Sequence, residues 1–97
     1  MLKPRRAIAV HPGEILQEIL DQNSLTQAQL ASHLGTFHAK INEICRGKRG
    51  VTPDMAAKLG RAFRQNASFW MNLQKNWELS GLKDEDYAGI GAIKLRA

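Results

Sequence analysis

The spacing of small and apolar residues between positions 27 and 44 constrains the fold of this chain more than any other feature. Counted from Gln27, it places Ala31, Gly35 and Ile41 four, eight and fourteen residues on, with Leu30, Leu34 and Ile44 in the other apolar slots. Ala31 lets two helices approach closely, and Gly35 supplies the turn between them. A hairpin of helices that merely packs does not need all of these positions together, so the spacing predicts a helix-turn-helix.

Apolar residues recur at helical spacing from His11 onward, and glycines or prolines interrupt them about every dozen residues. This pattern predicts an all-α fold of five helices. We expect them to run from Pro12 to about Asn23, from Gln27 to Leu34 after an N-cap at Thr26, from about Phe37 to Arg46, onward from Pro53 after an N-cap at Thr52, and onward from an N-cap at Ser68. The predicted organisation is a basic arm over residues 1–10, a helix-turn-helix domain over 11–79 and a C-terminal tail over 80–97.

The outer side of the third predicted helix carries the candidate DNA-reading residues. With its two isoleucines turned inward, helical geometry puts the remaining side chains at the surface. The residues predicted to read bases are His38, Ala39, Asn42 and Glu43. Asn42 can bond the N6 and N7 edge of adenine, Glu43 can accept from cytosine N4, and Ala39 can meet a thymine methyl. A solvated surface is the alternative for Asn42 and Glu43, and the helix-turn-helix spacing around them favours base reading. Phe37, at the start of this helix, can pack beneath it or touch a thymine methyl, and we expect it to pack.

Positive charge is concentrated beside that helix. The 97-residue chain has 14 Lys and Arg against 9 Asp and Glu, a formal net charge of +5. Residues 36–64 hold seven positive and two negative side chains, which accounts for the whole excess. The residues predicted to contact phosphates are Gln27, Lys40, Arg46, Lys48 and Arg49. A basic surface next to a reading helix favours nucleic acid over a membrane as the partner.

Catalytic and metal-binding interpretations find little support in the sequence. His33, His38 and Cys45 are the only soft ligands near one another, and an outward His38 with an inward Cys45 cannot share a metal. No glycine-rich phosphate loop and no pairing of a nucleophile with a base is apparent. We therefore expect a non-enzymatic protein without cofactor or metal, with Cys45 as a small core residue and with His11 and His33 in surface or capping positions.

The sequence also indicates a cytoplasmic protein. No apolar run approaches the roughly 18 to 20 residues that cross a bilayer. The apolar stretch Ala7–Val10 after the basic start is too short for the hydrophobic region of a signal peptide. The single cysteine excludes an intramolecular disulfide, which suits a reducing compartment.

The fifth predicted helix is rich in aromatic residues. Such residues belong more often to the core than to an interface in a chain of this size, yet this helix holds more of them than four other amphipathic helices need. We expect a homodimer interface formed by Phe69, Trp70, Leu73 and Trp77. Two-fold symmetry would place the two reading helices about 34 Å apart, which suits an inverted repeat in double-stranded DNA.

Four blocks of sequence resemble the HigA-type antitoxins, the family that includes virulence-associated protein I. In order, they are His11-Pro12-Gly13-Glu14-Ile15-Leu16, Leu25-Thr26-Gln27, Gly47-Lys48-Arg49-Gly50-Val51-Thr52-Pro53-Asp54-Met55-Ala56 and Ser68-Phe69-Trp70-Met71-Asn72-Leu73-Gln74. The resemblance covers residues 11–79 and implies a five-helix, phage-repressor-like helix-turn-helix fold. It further implies a dimer that represses its own operon and neutralises a HigB-like, RNA-cleaving toxin. Residues 36–40 depart from the family, which usually has small or polar residues there, often Ser followed by Pro.

Two other functions compete with that of an antitoxin repressor. One is a stand-alone, phage-type regulator without a toxin, which a short basic reading frame beside this gene would argue against. The other is a protein-binding module that keeps the fold and has lost affinity for an operator, which titration against the chain's own promoter would distinguish.

Overall fold

The structure, a computed structural model, describes residues 9–96, so most of the predicted N-terminal arm lies outside the described residues. Within that range five α-helices follow one another: α1 (Pro12–Gln22), α2 (Gln27–Leu34), α3 (His38–Cys45), α4 (Pro53–Phe63) and α5 (Ala67–Ser80), before a 3-10 turn at Asp84–Asp86. The all-α prediction with five helices is confirmed. None of the helices between residues 9 and 96 combines the length and apolar character that a bilayer crossing demands.

Two helices begin at the caps that the sequence predicts. At α2, Thr26 Oγ1 accepts from the backbone N–H of Gln29 at 3.0 Å, and Gln29 Oε1 accepts from the N–H of Thr26 at 2.8 Å. At α4, Thr52 Oγ1 accepts from the N–H of Met55 at 3.2 Å. Gly35 ends α2 in the left-handed region at φ 71°, where a residue without Cβ is unstrained. Local sequence signals therefore fix both ends of α2 and the start of α4, the two helices on either side of α3 in the chain.

The predicted start of α5 is wrong by two residues. Asn66 is the N-cap, and its Oδ1 accepts from the backbone N–H of Ser68 at 2.9 Å. Ser68, the predicted cap, lies inside the first turn. Asn and Ser cap helices about equally well, so two candidates this close together leave the choice to the surrounding fold.

Trp70 is the largest fully buried side chain and lies where α4 packs against α5. Its ring meets Phe69 edge-on at 5.3 Å between centroids, and its Nε1–H donates to Gln65 Oε1 at 2.7 Å. With 0% of its surface exposed, Trp70 offers nothing to a second copy of the chain, so its predicted place in a dimer interface is wrong. Phe69 and Trp77 remain 41% and 40% exposed on the same helix.

The N-cap of α1 is a buried histidine. His11 Nδ1 accepts from the backbone N–H of Gly13 at 2.9 Å, and the ring packs edge-on against Trp77 at 4.8 Å. The capping role predicted for His11 is confirmed, whereas a surface position is not, since only 6% of the residue is exposed. Burial lowers the pKa of His11 below its ordinary value of 6.5, and nearby Glu14 offsets part of that effect.

This lowered pKa predicts a pH-dependent stability. Below about pH 6.5 the unfolded chain binds a proton at His11 more readily than the folded chain does. The free energy of unfolding should therefore decrease as the pH is lowered through that range. Urea titrations at about pH 7.5 and 5.5 measure the effect. A His11→Asn variant keeps a capping oxygen but does not titrate, and it should lose less stability over the same interval. An equal loss in both proteins would show that His11 is not responsible.

Candidate nucleic-acid interface

One side of α3 faces the core and the other faces outward. Ile41 and Ile44 are 0% and 1% exposed and seat the helix on α1 and α2. The four residues predicted to read bases share the outward side, which we call the α3 face: His38, Ala39, Asn42 and Glu43. His38 and Ala39 are exposed, while Asn42 and Glu43 are half-buried because neighbouring side chains contact them. The α3 face is therefore accessible, and part of it is held in place.

Gln27, at the start of α2, holds the middle of the α3 face. Its Oε1 accepts from Asn42 Nδ2 at 3.0 Å and lies 3.3 Å from His38 Nε2. Its Nε2 donates to Gln17 Oε1 at 2.8 Å, and Gln17 Nε2 donates in turn to Asp21 Oδ1 at 2.8 Å. An amide nitrogen carries two hydrogens, so Asn42 retains one N–H and its carbonyl oxygen. Those are the two groups needed to bond the N6 and N7 edge of adenine.

The sequence did not reveal this role for Gln27. It predicts a phosphate contact there, and that contact stays a prediction. The partners of Gln27 on α3 lie 11 and 15 residues away, distances that correspond to no period within a single helix. Only the crossing of α2 and α3 brings them together, so the signal available in the sequence was the helix-turn-helix spacing itself.

Glu43 and Arg49 form an ion pair on the outward surface. Arg49 Nε donates to Glu43 Oε1 at 2.8 Å, and Arg49 Nη2 lies 2.7 Å from the same oxygen. An exposed pair of this kind adds little to stability. Its consequence is electrostatic, because a guanidinium offsets the repulsion between a carboxylate and DNA phosphates. The second carboxylate oxygen of Glu43 stays available to accept from a base.

Other basic side chains surround the α3 face. Gly47, at φ 76°, turns the chain in the left-handed region just after α3. Arg46 and Lys48 flank this turn and are exposed, and Lys40 lies partly exposed on α3. Among residues 9–96, none of these three takes part in an ion pair. Their charges can therefore meet an approaching polyanion without first losing a protein partner.

The side chain of Phe37, at the N-terminus of α3, is exposed to solvent. The sequence predicts that it packs beneath the helix, and the structure contradicts this, because 79% of the residue is exposed. Ile41 and Ile44 already fill the core side of α3, and the extended backbone of the N-cap position lies outside the helix. Because the ring is exposed beside the α3 face, the other interpretation of Phe37, contact with a thymine methyl, is the one that the structure leaves open.

Cys45 packs against the core at the end of α3, as the sequence predicts. Burial raises the pKa of its thiol to about 11, with a smaller contribution from Asp21 and an opposing hydrogen bond to the Gln27 side chain. The thiol is therefore protonated at neutral pH and is neither a nucleophile nor a ready metal ligand. In the part of the chain that the structure describes, no three His, Cys, Asp or Glu side chains converge as a metal site would require.

Known proteins similar to this chain include DNA-bound ones. No protein-family model matches the sequence. Virulence-associated protein I of Dichelobacter nodosus is 40% identical over 86 residues, which cover 88% of this chain and 79% of that protein. The structure of the Pseudomonas aeruginosa antitoxin HigA with the higBA promoter has a TM-score of 0.73 at 41% identity, covering 84% of this chain and 85% of that one. The antitoxin GraA in complex with its operator has a TM-score of 0.81 at 31% identity, covering 98% and 100%.

Proposed function

Because this chain belongs to the HigA-type helix-turn-helix antitoxins, we propose that it binds operator DNA through α3 and represses its own operon. The observation that carries the proposal is the α3 face, an outward polar surface surrounded by basic side chains. Gln27 holds His38 and Asn42 of this face through its side-chain oxygen. The structures of HigA with its promoter and of GraA with its operator support DNA binding by this chain.

The residues divide into two roles at the DNA. Asn42 and Glu43 read base edges in the major groove, together with His38 and Ala39 at the first turn of the helix. The positively charged residues contact phosphates and set the position of the protein on the duplex: Lys40, Arg46, Lys48 and Arg49. Gln27 supports the first group by fixing the amide of Asn42, and it remains a candidate for a phosphate contact of its own.

The remaining parts of the proposal concern partners. The protein acts in the cytoplasm as a homodimer on an inverted repeat, so that two copies of α3 enter successive major grooves. Its second partner is a HigB-like, RNA-cleaving toxin, which it neutralises. Membership of the antitoxin family supports the toxin partner, and the exposed aromatic residues of α5 support self-association.

Titration of the full chain against the DNA upstream of its own gene tests the repressor function. We expect at least about a thousandfold preference over a shuffled duplex of the same composition at physiological salt. Equal affinity for the two duplexes would leave only non-specific binding and would contradict the proposal.

Co-expression with the product of the adjacent gene tests the antitoxin function separately. Where that product arrests growth by cleaving RNA, this chain should restore growth and purify together with it. Growth arrest that persists despite normal levels of both proteins would favour the stand-alone regulator.

Phe37→Ala should weaken operator binding without changing stability. A phenyl ring at the start of α3 is placed to contact a thymine methyl, and its loss should reduce affinity roughly tenfold, within the 1 to 3 kcal/mol typical of a base contact. The melting temperature should not change, since the ring is 79% exposed. Leu79→Ala, which shortens an exposed apolar residue on α5 instead, serves as the control. Wild-type affinity in the Phe37 variant would exclude this contact.

A further inference from the structure

Four polar side chains connect the C-terminal end of α1 to the α3 face. Asp21 Oδ1 accepts from Gln17 Nε2 at 2.8 Å, and Gln17 Oε1 accepts from Gln27 Nε2 at 2.8 Å. Gln27 Oε1 then accepts from Asn42 Nδ2 at 3.0 Å. We call these four residues the amide network. It spans three helices and leads from a carboxylate at the surface of α1 to a side chain that is predicted to read a base.

All three hydrogen bonds of the amide network run in the same direction, with the nitrogen donating toward α1 at each step. A side-chain amide has a donor on one side and an acceptor on the other, and a rotation by 180° exchanges them. Amides alone could therefore bond one another in either direction. The Cys45 thiol, which also bonds Gln27, can donate or accept as well. Asp21 is different, because a carboxylate has only acceptor oxygens.

We propose that Asp21 is a positioning residue on α1 that selects which hydrogen-bonding groups the α3 face presents to DNA. This inference rests on the proposed repressor function and adds a determinant of its specificity. Because Asp21 only accepts, Gln17 turns its nitrogen toward Asp21 and its oxygen toward Gln27. Gln27 in turn presents its oxygen to Asn42. Asn42 then keeps its carbonyl oxygen and one N–H, the pair that bonds the N6 and N7 edge of adenine.

The same direction determines the tautomer of His38. Its Nε2 lies 3.3 Å from Gln27 Oε1. An oxygen accepts only from a ring nitrogen that carries a hydrogen, so the neutral ring has its hydrogen on Nε2 and leaves Nδ1 as an acceptor. Reversal of the Gln27 amide would exchange these roles and would also exchange the donor and the acceptor of Asn42. One change of direction therefore alters two side chains of the α3 face together.

The burial of the amide network sets the size of the expected effect. Gln17, Gln27 and Asn42 are half-buried, whereas Asp21 is exposed. Water competes with an exposed hydrogen bond more than with a shielded one, so Asp21 biases the direction of the network and does not lock it. A net hydrogen bond of ordinary strength corresponds to a bias of about three- to tenfold between the two directions.

Two simpler roles for Asp21 lead to different predictions. Asp21 and Gln17 are four residues apart on α1, and a pair at this spacing stabilises a helix slightly. In that role a substitution would change only the free energy of unfolding. A carboxylate also repels DNA phosphates, and its removal would strengthen binding to every duplex alike. Neither role alters the preference for one base pair or the tautomer of His38.

Asp21→Asn in the full chain tests the inference, because asparagine has nearly the same shape and can donate as well as accept. Affinities are measured for the operator and for duplexes altered at the base pair whose preference Asn42→Ala relaxes. We expect the preference at that base pair to fall about three- to tenfold, and the preferences at other base pairs outside the α3 contacts to stay as in the wild type. Urea denaturation should show that the helical fold is retained.

Two further variants separate direction from charge. Glu18→Gln is the matched control, since it removes the same charge from an exposed position of α1 outside the amide network. It should keep the wild-type base preference. Gln17→Ala interrupts the network between Asp21 and Gln27, so it should relax the preference as Asp21→Asn does. In the Gln17→Ala background, Asp21→Asn should have no further effect on base preference, because Asp21 acts through Gln17.

NMR of the free protein tests the direction of the network without DNA. Nitrogen-15 chemical shifts distinguish a ring nitrogen that carries a hydrogen from one that does not. At about pH 8.5, where a histidine ring is neutral, the wild type should hold His38 in the Nε2–H tautomer. Asp21→Asn and Gln17→Ala should raise the fraction of the Nδ1–H tautomer at least about threefold. Glu18→Gln should leave the tautomer as it is in the wild type.

The inference and the proposed repressor function can fail separately. A wild-type His38 with its hydrogen on Nδ1, or an Asp21→Asn protein with an unchanged tautomer, would overturn the inference. Equal strengthening of all duplexes by Asp21→Asn and Glu18→Gln, without a change in base preference, would reduce Asp21 to a charge. If the wild type does not prefer its operator over a shuffled duplex, the repressor function is wrong, and the tautomer of His38 still decides whether Asp21 sets the direction.

Discussion

Replacing Gly13 with alanine should destabilise the chain by about 3 kcal/mol, at the upper end of the usual cost of overpacking. A Cβ at this position would lie 1.8 Å from the carbonyl oxygen of Ile44 and 3.0 Å from Cys45 Cα. Both are backbone atoms of α3, so no side-chain rotation relieves the clash and α1 must move away. The higher helix propensity of alanine offsets at most about 1 kcal/mol. Urea denaturation measures the difference.

Gly81→Ala is the matched control for this change. Gly81 has a helical φ of −85°, and a Cβ there would meet its nearest neighbour at an ordinary 3.6 Å. We expect its effect on the free energy of unfolding to stay within about 0.5 kcal/mol. A Gly13→Ala protein as stable as the wild type would show that α1 and α3 do not approach as closely as the structure has them.

The Gly13 contact also links the start of the domain to DNA binding. Ile44 follows Asn42 by two residues on α3, so a displacement of this helix end changes the angle at which the α3 face meets a duplex. Each residue of the block His11-Pro12-Gly13-Glu14 therefore has a physical role at the start of α1. His11 caps the helix, Pro12 occupies its first turn, Gly13 permits the close contact with α3, and Glu14 places a carboxylate near the helix N-terminus. We expect the folded fraction of Gly13→Ala to bind its operator more weakly as well.

The parts of the fold that the sequence predicts are those with local causes. Thr26 and Thr52 cap helices through bonds to residues three positions on, and Gly35 terminates α2 through its own backbone conformation. The outward position of Asn42 follows from two isoleucines on the same helix. Each of these inferences needs only the geometry of a single helix or turn.

The features that the sequence missed depend on how helices cross. Nothing near Gln27 in the chain indicates that it accepts a hydrogen bond from Asn42. The close approach of Gly13 on α1 to Ile44 on α3 likewise depends on residues that are far apart in the chain. Dependence on helix packing also explains why the predictions for two aromatic residues were wrong. Periodicity could not tell that Trp70 is buried while Phe37 is exposed, because that choice is made by the packing of neighbouring helices.

Asn42→Ala and Lys48→Ala should weaken DNA binding in different ways. Loss of the Asn42 amide should cost about 1 to 3 kcal/mol of specific binding and relax the preference at one base pair. Loss of the Lys48 charge should weaken binding to all duplexes alike and reduce the slope of log affinity against log salt by about one. Titration against an operator and its single-base variants, at several salt concentrations, separates the two effects. Identical behaviour of both variants across sequence and salt would contradict the assigned roles.

Gln27→Ala extends this test to the side chain behind the α3 face. Because Gln27 Oε1 bonds Asn42 Nδ2 at 3.0 Å, its removal frees the amide to rotate and should cost much of what Asn42→Ala costs. A double-mutant cycle measures how far the two changes overlap, and we expect a coupling of at least about 1 kcal/mol. A Gln27 that acted only on a phosphate would give losses that add to those of Asn42→Ala and that are equal for all duplexes. Coupling, with a relaxed preference at the same base pair as in Asn42→Ala, would therefore assign Gln27 to positioning, and it would make the junction of α2 and α3 a determinant of which base is read.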